Sequence, residues 1–202
     1  MSYVTRVILV LSLLLAASHS AFAIREFDIR TIESLGRKLY EKDQQSSRSQ
    51  SEPEQRAIRS AKDALKGIDL RGYRFVVLSD PKGSGFLVYA LATSRDPEEI
   101  VVGIHYRVTV SADASRAERV DALSRTRIVA TKKNLPQGYQ RLAGFVLGQL
   151  VSDKPVETLV YLTLRHNASC MVVTPNQSVW WIEHGKIRKE KKKASEIKPS
   201  SL

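Results

Sequence analysis

Ile29, Ile32, Leu35 and Leu39 recur at intervals of three and four residues, which sets them on one stripe and predicts an amphipathic helix from Asp28 to about Lys42. Asp28 supplies an N-cap, and Glu33 stands four residues before Arg37 on the face expected to meet solvent. The stretch DQQSSRSQSEPEQ is polar and serine-rich and reads as an exposed loop. A second helix begins after Ser51, where Ser51 and Glu54 have capping-box spacing, and Ala57, Ile58, Ala61 and Leu65 form its stripe before Gly67 ends it.

Beyond residue 72 the period changes to that of strands. YRFVVLSD (73–80) and FLVYALATS (86–94) flank the turn PKGSG and predict a hairpin, and IVVGIHYRVTV (100–110) follows a second short turn. These connections have no room for a crossover helix, so this part is an antiparallel meander and not a Rossmann-like unit. The stretch 112–134 reads as a short helical turn near 117–123 and a strand through 127–131. Residues 138–150 read as a helix, against which Gly144 and Gly148 argue, since a strand fits Phe145 to Leu147 nearly as well. ETLVYLTL (157–164), CMVVT (170–174) and SVWWIE (178–183) complete a second meander. On strand alternation Trp180 and Trp181 point to opposite faces, one into the core and one to a rim.

The expected architecture is α+β, with N-terminal helices packed on a curved antiparallel sheet. In element order alone this layout resembles cystatin-like and NTF2-like architectures.

The N-terminus stands apart from that pattern. Arg6, the apolar run from Val7 to Ala17 and Ala21-Phe22-Ala23 form the three parts of a secretory signal peptide. The apolar run is shorter than the roughly 20 residues of a membrane span, although an uncleaved anchor is the alternative. Cleavage after Ala23 leaves 179 residues: one domain at 24–185 and a basic, flexible tail at 186–202. The protein is then exported, periplasmic in a Gram-negative bacterium and secreted otherwise, with no transmembrane span in the mature chain. Cys170 is the only cysteine, so stability comes from burial and not from an intrachain disulfide, and Cys170 itself reads as a small core hydrophobe.

The formal net charge is +11, and KIRKEKKK (186–193) concentrates six positive charges against one negative. Lys186, Arg188, Lys189, Lys191, Lys192 and Lys193 therefore form an electrostatic candidate for an anionic envelope surface. Export argues against nucleic acid as partner.

His105 and Arg107, two apart in the third strand, lie on the face opposite Ile104, Tyr106 and Val108. They are a candidate anion-binding pair if that face borders a pocket, and otherwise the polar complement of a packing face. The chain contains no nucleophile elbow, phosphate-binding glycine motif, HxxxH or CxxC. No catalytic residue, metal site or cofactor is assigned. The leading functional expectation is an exported, non-catalytic binding or envelope-associated accessory protein whose partner is a protein, a small ligand or an anionic envelope surface. The enzyme alternative is an exported hydrolase of a small molecule or polymer, for which Cys170, His105 and His166 are the first residues to inspect.

Overall fold

The computed structural model describes residues 24–45, 50–124, 126–131, 144–149 and 151–196. Residues 1–23, read above as a leader, and the last part of the basic segment, 197–202, lie outside the described residues, as do 138–143 and 150 of the segment read as a helix at 138–150.

Both N-terminal helices form as the stripes predict. Helix α1 is Ile29–Gln44, with Asp28 accepting from the Thr31 backbone N–H as N-cap. Helix α2 is Glu52–Ala64, and Ser51 with Glu54 closes its capping box. Strands β1 (Tyr73–Ser79) and β2 (Phe86–Ala92) form the expected hairpin. The run 100–110 divides into β3 (Glu99–Val101) and β4 (Tyr106–Val110), because Ile104 takes a left-handed conformation at φ 57° that breaks the alternation. Segment 117–123 is not a helical turn. It forms β5 (Ala117–Ala122), antiparallel to β4, and β6 is Val129–Thr131.

Two later segments exchange the types expected of them. Gly144–Gly148 is a strand, β7, consistent with the helix-weakening glycines at both ends. Glu157–His166, expected as a strand, is helix α3. Seven of its ten residues are buried, so it carries no polar stripe by which helical period could be read. Its ends do carry helix signals: Glu157 in the first turn, Arg165 and His166 in the last, and Asn167 in the left-handed C-cap conformation.

Strands β8 (Ser169–Val173), β9 (Ser178–Glu183) and β10 (Lys186–Lys193) form an antiparallel meander, to which β7 adds as a strand parallel to β8. Helix α3 bridges that one parallel pair, as parallel strands require. The segment from 186 is therefore not a flexible tail through Lys193. His184 (φ 47°) and Gly185 (φ 74°) make a two-residue turn with both residues left-handed, which matches the twist of a hairpin and returns the chain along β9.

The architecture is mixed α+β with three sheets, in the orders β1-β2-β4-β5, β10-β9-β8-β7 and β3-β6, in place of one curved sheet. Helix α2 covers one face of the first sheet through Ala57, Ile58, Ala61 and Leu65 against Val77, Val88, Ala90 and Val108. The other face, with Val76, Leu87, Tyr89 and Leu91, belongs to a larger core shared with Leu35 and Leu39 of α1, Leu159 and Val160 of α3, and Val172 and Ile182 of the second sheet. Helices α1 and α3 meet closely at Gly36, where an added Cβ would stand 2.4 Å from Val160 Cβ. No described helix is long and apolar enough to cross a membrane.

Candidate functional site

Within β4 the expected faces hold: Val108 and Val110 turn to the α2 side, and Arg107, paired across from Tyr89, turns to the larger core. The first sheet is covered on both faces, so the polar side is buried as well. Arg107 is 0 % exposed. Its Nη1 donates to Glu157 Oε1 at 2.6 Å, its Nη2 to Asp121 Oδ2 at 2.7 Å, and its Nη2 also to the Arg25 carbonyl. The guanidinium lies 4.7 Å from the centre of the Phe27 ring. Tyr89 Oη donates to the same Glu157 oxygen at 2.9 Å, and Arg119 Nε to Asp121 Oδ1 at 2.6 Å. Burial opposes the Arg107 charge, but Glu157, Tyr89 and Asp121 outweigh it and raise the pKa further above the usual arginine value.

His105 is 1 % exposed. Its Nδ1 accepts from the Ala92 backbone N–H at 3.0 Å, which leaves the proton on Nε2, 3.1 Å from the Val101 carbonyl. Burial lowers its pKa to about 4, so the ring is neutral at pH 7. The two side chains that a strand reading offers to an external anion thus bind the chain's own carboxylates and backbone.

The remaining candidates for nucleophilic chemistry are dispersed. Cys170 is fully buried in the larger core, and burial pushes its thiol well above the ordinary range. A buried neutral thiol is a poor nucleophile. His166 ends α3 and lines a cleft away from Cys170's core position. Among the described residues no group of three or more His, Cys, Asp or Glu side chains is placed to hold a metal ion.

The six cations of the basic segment stand on β10, an edge strand of the second sheet. One carboxylate from another element ties it down. Glu33 of α1 accepts from the Ile187 backbone N–H at 2.7 Å and from Lys186 Nζ at 3.3 Å, so Glu33 is buried at this seam and not turned to solvent. Arg188 pairs with Glu190 at 3.1 Å. Lys189 Nζ lies 5.1 Å from the centre of the Trp180 ring, which is buried while Trp181 is half-buried, so the two tryptophans divide between core and rim as alternation requires. Lys189, Lys191, Lys192 and Lys193 form no ion pair among the described residues.

The structure also assembles a site that the sequence does not signal. A cleft of about 510 Å³ opens beside the last turns of α1 and α3. Asp43, whose side chain is 0 % exposed, accepts from Arg74 Nη1 at 2.6 Å, from Tyr161 Oη at 3.0 Å and from Arg165 Nη1. The bond to Asp43 holds the Arg74 guanidinium firmly charged, and burial beside that carboxylate keeps the Tyr161 hydroxyl protonated. Ser94 and Asp96 from the loop after β2, and Glu99 of β3, join the polar lining, together with Gln44, Thr93 and His166. These residues come from four elements and a loop and share no sequence spacing, which is why pattern alone does not join them.

Comparison with protein-family models, with curated proteins and with solved structures finds no match to this chain.

Proposed function

We propose that the protein is an exported, non-catalytic accessory protein that attaches to an anionic envelope surface through β10. The observation that carries this reading is a row of cations on an ordered edge strand, four of them without an ion pair among the described residues. A lysine next to an anionic surface contributes about 1 kcal/mol, and a fixed row sums these terms without first ordering a loose segment. The buried Cys170 and the backbone-bonded His105 support the non-catalytic part of the reading.

Because β10 belongs to a sheet, the test changes charge and keeps the strand. The full mature chain is sedimented with phosphatidylglycerol-containing vesicles and with pure phosphatidylcholine vesicles over a salt series. Binding to the anionic vesicles alone, falling steeply with salt and lost in Lys191→Gln/Lys192→Gln/Lys193→Gln, is the expected result. Equal binding by wild type and the triple variant at low salt would overturn the reading.

A further inference from the structure

We infer that the cleft at Arg74, Arg165 and Glu99 binds a small zwitterion that carries a carboxylate and an ammonium group, the class of free amino acids and short peptides. This site is separate from β10 and does not depend on the surface reading.

The Asp43 carboxylate lies in the last turn of α1, where the helix dipole disfavours negative charge, and it is completely buried. Its two guanidinium partners and the Tyr161 hydroxyl compensate it there. Two cations facing one carboxylate leave that side of the cleft with one positive charge in excess. Each arginine commits one Nη1 to Asp43. Arg74 is 40 % exposed and Arg165 28 %, and both line the cleft, so neither guanidinium is fully enclosed by its bond to Asp43. A carboxylate is the group that such forks bind with two directed bonds.

The loop side has the opposite sign. Glu99 accepts from Ser94 Oγ at 2.7 Å through Oε2, and Asp96 accepts from the Glu98 backbone N–H at 2.9 Å through Oδ1. A simple anion would meet repulsion from the Glu99 carboxylate. A ligand with an anionic end toward Arg74 and Arg165 and an ammonium end toward Glu99 satisfies both. The cleft volume falls in the range of small-molecule sites and holds a short peptide.

Trialanine, N-acetyl-trialanine and trialanine amide differ only in which end is charged, and an amide NMR titration of the mature chain with each reads the site directly. Trialanine is expected to give saturable shifts at Thr93, Ser94 and Leu162, with the amide form at least about tenfold weaker and the acetylated form several-fold weaker. Arg165→Lys keeps the charge but removes the fork, so it should weaken trialanine by about tenfold. Glu99→Gln leaves the Asp43 cluster intact and should close the gap between trialanine and its acetylated form. Lys191→Gln/Lys192→Gln/Lys193→Gln should bind trialanine as the wild type does. Absence of saturable shifts up to about 10 mM trialanine, or equal affinity for the amide form, would overturn the inference.

Discussion

Arg107 Nη1 in β4 and Glu157 Oε1 at the start of α3 are 2.6 Å apart, and both side chains are almost wholly withdrawn from water. The pair fastens the first sheet to the helix that connects β7 with β8. Asp121 accepts from the other side of the guanidinium and also from Arg119, so Arg107 is the one cation that Glu157 and Asp121 share. Removing one member of such a group leaves uncompensated buried charge. Arg107→Met should cost about 3 to 5 kcal/mol in urea unfolding. A cost below about 1 kcal/mol would show that Asp121 and Glu157 find water or other donors.

The buried neutral His105 makes stability depend on mild acid. Its folded pKa is about 4, depressed from 6.5, so the unfolded chain binds the proton first as pH falls. The contribution is complete above pH 6.5 and is lost progressively as pH drops through 6.5 toward about 4. Its full size is about 3 kcal/mol. Unfolding free energies measured between these limits should decline for the wild type, and the decline should flatten in His105→Gln. An equal slope in both proteins would assign the effect elsewhere.

Gly36 sits where α1 meets α3, and its replacement has no free space to enter. An added Cβ would lie 2.4 Å from Val160 Cβ and 2.8 Å from the Glu157 carbonyl oxygen. Gly36→Ala should lower stability by about 1 to 3 kcal/mol despite the better helix propensity of alanine. Thermal unfolding checks the sign: a raised Tm would mean that the two helices separate without cost.

Cys170 offers a direct report on the core. Its thiol is buried and held protonated, so a thiol reagent should react only through opening of the structure. The labelling rate should follow unfolding as denaturant rises. Rapid stoichiometric labelling of the native protein would contradict the burial.

Periodicity made α1 and α2 legible, because each has one buried face that repeats at the helical period, while the β1–β2 hairpin, buried on both faces, was legible as two β-rich runs around a short glycine-containing turn. It failed at α3, where Leu159, Val160, Tyr161 and Leu162 are all buried and no face is left to mark the turn of the helix. Gly144 and Gly148 already favoured a strand for β7, but its partner β8 lies beyond α3 and is visible only after folding. Composition misled at β10. Its lysines suggested a free tail, whereas the His184-Gly185 turn and the long-range bond from Ile187 to Glu33 make it a strand. His105 and Arg107 were identified as a pair from alternation, but the burial of Arg107 depended on Glu157 of α3 and on Phe27 arriving from distant parts of the chain. The Asp43 cleft had no local signature, since its chemistry is the meeting of Asp43, Arg74 and Arg165 across more than a hundred residues.

An edge strand ordinarily invites a second chain to extend the sheet. On β10, any copy arriving by the same strand would bring its own six cations against these six, and Glu33 already occupies the Ile187 N–H. On the proposed surface reading, the same lysines therefore also keep molecules apart from one another, so crowding on such a surface need not become aggregation.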